Sequence, residues 1–223
     1  MKRIFLFLAA GSLAFASCQN APEADKAQAT EAVAVDSSAA KAGNGYKADL
    51  AQSVVEWVGT KPTGKHHGTF KLKEGNITAE NGTITGGKFV IDIASLKADD
   101  QDSAGNAKLC GHLSSPDFFD AAKFPDATFE IASVTAGTDT TGGKKVMMKD
   151  ATHTITGNLT LKGVTKSISF PAKVAVTDAS VTTDADFNID RTQWGLSYGA
   201  DKSLGDKIIH SEVNLKLHVV ATK

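Results

Sequence analysis

The chain has 223 residues, of which 41% are hydrophobic and 22% are charged, and its formal net charge at pH 7 is −1. A near-neutral chain without basic clusters excludes the electrostatic footprint of a nucleic-acid-binding protein. Residues 46–223 are long enough for one domain that buries roughly 70% of the surface of its unfolded chain.

Residues 1–17 have the pattern of a signal peptide. A basic pair precedes an apolar run from Ile4 to Ala16, and this run is shorter than the roughly 20 residues of a membrane-spanning helix. The run leads into the sequence FASC, which resembles the lipobox of bacterial lipoproteins. We therefore predict that Cys18 is acylated and anchors the mature chain. The alternative is a general secretory signal cleaved near Ala16, with an incidental cysteine.

Residues 18–45 have the composition of a flexible tether. Small and polar residues dominate, Val33 and Val35 are the only larger aliphatic residues, and the first aromatic residue is Tyr46. Such a segment cannot bury a core, and as a flexible coil it spans on the order of 30 Å. Because Gln19 replaces the aspartate that commonly retains such lipoproteins in the inner membrane, we expect a bacterial envelope protein anchored to the outer membrane and facing the periplasm.

From Tyr46 onward, apolar residues recur with a period of two in short segments bounded by glycine turns. This pattern predicts an all-β antiparallel domain. A sheet of about eight strands with one apolar face must close into a barrel or stack in two layers, and a small closed barrel can hold one ligand. The eight segments are SVVEWVGT, GTFKLKE, GNITAE, GKFVIDIASL, DATFEIASV, HTITGNLTLKG, SISFPAKVAV with ADFNID, and SEVNLKLHVV.

The connection between Leu96 and Phe129 is predicted to be a helical insert. The stretch NAKLCGHL suits a short helix, and SSPDFFDAAKF predicts a second helix with Ser115 as N-cap. Phe118 and Phe119 would lie about 100° apart on that second helix. We interpret the insert as a lid or plug against a barrel. Cys110 within it is expected to be a buried, inert thiol.

Five motifs occur in an order that resembles the YceI-like family of exported bacterial proteins. They are SVVEWVG, HHGTF, GHLSSPDFFDAAKFPDATF, GNLTLKGVTK and RTQWG. The resemblance covers nearly all of residues 46–223 and implies a single lipocalin-like barrel whose apolar tunnel holds a polyisoprenoid chain, such as an isoprenoid quinone tail. The chain departs from the family at Cys110-Gly111, directly before His112, where simpler members carry an acidic residue. Any polar contact that this acidic residue makes in the family is therefore not expected in this chain.

This resemblance gives a set of candidate ligand-binding residues. The polar candidates are His67 and Arg191, and for Arg191 the alternatives are an ion pair with Asp190 or hydrogen bonds to the ligand's head. Any one phenylalanine can equally be ordinary core, because aromatic side chains dominate core burial. The candidate wall residues are Trp57, Phe70, Phe89, Ile91, Phe118, Phe119, Phe129, Leu159, Leu161, Phe170 and Trp194.

We predict a carrier rather than an enzyme, with no cofactor other than the bound lipid, and a homodimer is left open. The GLSYG sequence around Ser197 lacks the strand before and helix after that a nucleophile elbow needs. The histidines lack the spacing of metal ligands, and the adjacent His66 and His67 point to opposite faces of a strand. Three alternatives remain: a carrier of fatty acids or their amides, a metal-dependent protein using the histidines, and a solid barrel acting as an interaction module.

Overall fold

The computed structural model describes residues 20–35, 43–138 and 145–223. The predicted signal peptide and Cys18 lie outside this range. The helices in the described part of the chain are all too short or too polar to cross a bilayer. The strands are β1 (Asp25–Lys26), β2 (Asn44–Ala48), β3 (Val54–Lys61), β4 (Gly64–Glu80), β5 (Thr83–Ala98), β6 (Asp126–Ala136), β7 (His153–Leu161), β8 (Val164–Val176), β9 (Ser180–Asp190) and β10 (Glu212–Thr222). The helices are α1 (Ser103–Ser114) and two 3₁₀ helices, Arg191–Trp194 and Lys202–Lys207.

Strands β3 to β10 close an antiparallel barrel. Each pairs with the next along the chain, and β10 pairs back with β3. The strand β2 inserts between β4 and β10 at one end. This architecture confirms the prediction of a single all-β barrel of about eight strands.

The strands divide differently from the prediction, however. The segments GTFKLKE and GNITAE belong to one long strand, β4, because Gly75 does not form a turn. The Phe89 side chain of β5 lies where a Cβ of Gly75 would stand, so this glycine makes room for a ring. Conversely, the segment predicted as one unit near residues 167–190 is two strands, β8 and β9.

The two ends of the barrel differ. The β3–β4 turn, the β7–β8 turn, the insert at residues 99–125 and the connection at residues 191–211 lie together at one end, here called the mouth. The opposite end is filled by a core that includes Tyr46, Ile77, Ile84, Ile131 and Val181. Any internal space must therefore lie toward the mouth.

The insert contains one helix, not two. The helix α1 begins after Asp102, whose carboxylate accepts the Gly105 N–H at 2.7 Å. Ser115, predicted as the N-cap of a second helix, instead ends α1: its backbone is extended and its hydroxyl donates to the His112 carbonyl at 2.7 Å. Residues 116–123 form turns, so the second predicted helix is wrong. Cys110 is half-buried rather than buried, and its Sγ accepts the Ala98 N–H.

The prediction of a flexible tether is wrong for residues 20–35, which lie along the barrel. Strand β1 pairs in parallel with β9, and Ala27 is buried while its N–H donates to the Asn188 carbonyl at 2.9 Å. Further along, Thr30 exchanges both backbone hydrogen bonds with Ser167 of β8.

The barrel wall explains why this polar segment docks. The ladder between β8 and β9 covers only Ala172–Val176 and Val181–Ala185, so toward the mouth each strand presents unpaired backbone groups. Pro171, which has no N–H to donate, directly precedes this ladder. Backbone hydrogen bonds need no apolar side chains, so composition alone cannot reveal this docking.

Candidate functional site

An apolar cavity of about 360 Å³ occupies the mouth half of the barrel. All eight barrel strands contribute to its wall, and its volume lies within the range of about 300–1,000 Å³ typical of ligand pockets. The barrel is therefore not solid, which removes the premise of the interaction-module alternative.

Most of the predicted wall residues line this cavity. Sequence reasoning missed Leu109 and Leu113 of α1, and Phe187 and Leu215 on strands β9 and β10. The alternating pattern of the strands contained the signal for the last two. The predicted residues that line the cavity are Trp57, Phe70, Ile91, Phe118, Phe119, Phe129, Leu159, Leu161, Phe170 and Arg191.

Three candidate residues do not line it. Phe89 is buried in the core, where its ring covers Gly75 of the neighbouring strand β4. Trp194 is fully buried behind the wall, and its indole N–H donates to the Leu159 carbonyl at 2.9 Å. His67 lies on the outer side of the barrel, half-exposed, with its Nδ1 at 2.6 Å from an Asp99 carboxylate oxygen.

The insert covers the mouth as a lid, defined here as residues 103–125. Phe119 packs edge-to-face on Phe70 of the wall, with ring centroids 5.5 Å apart. Phe118 contacts the rings of His112 and Tyr198 at 5.1 and 5.3 Å, which joins the lid to the connection after β9. Phe118 and Phe119 thus close the cavity and form part of its lining.

Arg191 is a structural element of the mouth. Its guanidinium is buried and donates four hydrogen bonds to backbone carbonyls of the following connection: to His210 at 3.2 Å, Ile209 at 2.8 Å, Tyr198 at 2.9 Å, and Leu196. With four of its five N–H groups engaged in this way, the side chain ties residues 196–210 to the end of β9.

Asp190 does not form the ion pair that was one alternative for Arg191. Its carboxylate instead caps the 3₁₀ helix, accepting the Thr192 N–H at 3.0 Å and the Thr192 hydroxyl at 2.6 Å. Burial lowers the pKa of Arg191, and the charge of nearby Asp190 partly opposes this shift. The guanidinium also faces the Phe118 ring at 5.6 Å, so it supports the lid from below.

The polar part of the cavity lining is gathered at the mouth. Besides Arg191, it consists of Thr60, Lys61, His66, His112 and His210. Among the described residues that line the cavity, none carries a carboxylate. The site therefore combines a long apolar wall with a small polar, basic rim.

A second cluster lies outside the cavity, where His67, Asp99 and Asp100 bring their nitrogen and oxygen atoms within 4.8 Å of one another. The sequence could not reveal it, because β4 and the end of β5 meet only in the fold. Burial raises the pKa of Asp100, but hydrogen bonds from the His66 ring and the His67 N–H, together with the charges of both histidines, lower it on balance. The His66 and His67 rings already lie within hydrogen-bond distance of Asp100 and Asp99, respectively, so each of these carboxylates has a partner within the protein.

Comparison with known proteins gives a consistent family match. Residues 46–221 match the family profile described as YceI-like domain. A UPF0312 protein of Pseudomonas putida KT2440 is 35% identical over 106 residues, or 48% of this chain and 47% of the relative. Protein YceI of Salmonella newport is 34% identical over 108 residues, 48% of each chain. The chain thus spans about half the length of the curated relatives it matches.

Two solved structures share the fold. BcnA of Burkholderia cenocepacia aligns with a TM-score of 0.59 and 26% identity, over 78% of this chain and 99% of that one. A polyisoprenoid binding domain from Saccharophagus degradans, implicated in plant cell wall breakdown, aligns with a TM-score of 0.53 over 79% of this chain and 97% of that one. Its identity of 16% makes this a similarity of fold alone.

Proposed function

Because the chain belongs to the family of YceI-like domains, we propose that its barrel binds a long-chain isoprenoid lipid, either a polyprenyl chain or an isoprenoid quinone, with the hydrocarbon tail in the cavity. The observation that carries this proposal is the apolar cavity under an aromatic lid, to which all eight strands contribute. The description of the Saccharophagus degradans neighbour as a polyisoprenoid binding domain supports the choice of ligand class.

The energetics of burying a lipid tail suit transport or storage. Each methylene moved from water into an apolar site contributes about 0.8 kcal/mol, so a bound tail is held firmly against release into water. A bilayer offers the tail nearly the same stabilisation, so lipid can pass between membrane and barrel at little net cost. The protein would then act as a carrier within the bacterial cell envelope.

The docked N-terminal segment refines how the barrel would meet a membrane. We propose that Cys18 is acylated and anchors the protein in the outer membrane, on its periplasmic side. Asn188 already holds the Pro22 carbonyl, at 2.9 Å, and only three residues separate Pro22 from Cys18. An acyl anchor at Cys18 would keep the barrel close to the bilayer surface, because only a short segment would separate the anchor from the barrel.

Titration with a short-tailed menaquinone tests the binding proposal. Trp57 lines the cavity, so a quinone that enters is expected to quench tryptophan fluorescence saturably. Phe119→Asp, which places a charge in the apolar lining, is expected to abolish this quenching because the charge cannot be desolvated there. Leu50→Asp is the matched control at an exposed leucine and should titrate like the native protein. Equal quenching of both variants would refute binding in the cavity.

A further inference from the structure

Three buried polar atoms of the cavity lining have no hydrogen-bond partner within the described part of the chain. They are the Thr60 hydroxyl, His210 Nε2 and the Trp57 indole N–H. Thr60 is only 2% exposed and Trp57 only 7%. Buried polar groups are nearly always paired, because an unpaired one destabilises the folded state. Their position in an otherwise apolar lining therefore suggests that a ligand supplies the partner.

Two of the three residues that carry these atoms, Thr60 and His210, are neighbours through their backbones. The His210 N–H donates to the Thr60 carbonyl at 2.9 Å, so the connection after β9 is fixed directly against the end of β3. The His210 carbonyl in turn accepts from Arg191 Nε, which holds this residue in place. Trp57 lies three residues earlier on β3, roughly 10 Å deeper along the strand, and also borders a second, smaller pocket. Of the three residues, Thr60 and His210 are therefore the two that lie together at the mouth.

The charges around this pair indicate what it would bind. Lys61 and Arg191 line the same region, and no carboxylate is found among the described lining residues. A threonine hydroxyl can donate, and a histidine nitrogen can donate in the appropriate tautomer. The surroundings therefore favour a partner that offers acceptor oxygens.

We infer that Thr60 and His210 form a head-group subsite, which hydrogen bonds to an oxygen of the bound isoprenoid, either a quinone carbonyl or a phosphate. This inference rests on the proposed lipid binding and gives the bound lipid an orientation. The tail lies against the apolar wall of the cavity, and the oxygen-bearing head lies under the lid at the mouth. It also explains why the mouth of an apolar cavity retains unpaired polar atoms on Thr60 and His210.

The test compares ligands with and without oxygen, using the full chain. The probes are a short-tailed menaquinone, geranylgeranyl phosphate and the hydrocarbon phytane. Thr60→Val removes the hydroxyl and is expected to weaken binding of an oxygen-bearing probe about three- to tenfold, the effect of one hydrogen bond, while phytane binding is unchanged. Thr60→Ser, which keeps a hydroxyl, should restore affinity, and His210→Phe should reproduce the loss.

Thr78 provides the matched control. Its hydroxyl is also buried and unpartnered, but Thr78 does not line the cavity, so Thr78→Val should change the affinity of no probe. Without ligand, Thr60→Val should not lower the melting temperature, because it removes a polar group that has no partner. A structural hydroxyl, or one paired by an internal water, would instead lower it.

The outcomes separate the subsite from the wider proposal. A loss confined to geranylgeranyl phosphate assigns an anionic head, and a loss confined to menaquinone assigns a quinone. Equal effects of Thr60→Val on all three probes, or no effect on any, overturn the subsite while lipid binding stands. Failure of the native protein to bind any probe overturns both.

Discussion

Replacing Arg191 by lysine is expected to destabilise the protein although the charge is kept. The guanidinium donates to four carbonyls of residues 196–210 from a rigid fork. An ammonium is a single donor atom and can reach about two of those carbonyls, so at least two charge-assisted hydrogen bonds are lost. At about 1.5 kcal/mol for each, the expected loss is about 3 kcal/mol.

Urea unfolding measures this loss as a lower midpoint at an unchanged slope. Lys173→Arg makes the reverse exchange at a half-exposed ion pair with Asp150 and should change stability by less than about 0.5 kcal/mol. If Arg191→Lys keeps native stability but weakens the binding of oxygen-bearing isoprenoids, the scaffold role is refuted and Arg191 contacts the ligand head instead.

Three further predictions concern the barrel. A Cβ at Gly68 would lie 1.8 Å from a backbone oxygen of β5, so Gly68→Ala should lower the free energy of unfolding by about 3 kcal/mol, whereas Gly59→Ala, with open space around it, should change it by less than about 1 kcal/mol. The pKa of Asp100 is lowered in the folded state, so its stabilising effect is present above the unfolded pKa of about 3.9 and is lost as pH falls through the folded value. The stability gap between native protein and Asp100→Asn, measured by urea unfolding at several pH values, should therefore close in acid; a gap independent of pH would contradict this. Deleting residues 20–35 should lower the urea midpoint, because β1 and Ala27 are lost from the wall; an unchanged midpoint would restore the flexible-tether interpretation.

The sequence contained most of the fold because the strands alternate cleanly. The predictions that were wrong relied on residues whose local sequence pattern is compatible with two different structures. Gly75 can mark a turn, but here it makes room for the Phe89 ring within a strand. Ser115 before a proline can begin a helix, but its hydroxyl and extended backbone end α1 instead. The docking of residues 20–35 depends on unpaired strand edges far along the chain, which no local pattern records.

The site was predictable in part, for a geometric reason. A period of two tells which side chains point into a barrel, but not where each ring packs once it is inside. Phe89 and Phe129 are direct partners across β5 and β6, yet the Phe129 ring lines the cavity whereas the Phe89 ring covers Gly75 of β4. Partners at long range, such as the carbonyls around Arg191 or the pairing of His67 with Asp99, appear only after folding.

Mass spectrometry of the lipid that copurifies with the full chain is a direct test of isoprenoid binding in the cavity. The native protein and Phe119→Asp would be produced in bacteria, purified in parallel in the same detergent and extracted with organic solvent. We expect an isoprenoid quinone or polyprenyl species at about one molecule per native chain and its loss from the variant, while background membrane lipids appear equally in both. A native extract without isoprenoid, or the same isoprenoid content in a correctly folded variant, would contradict it.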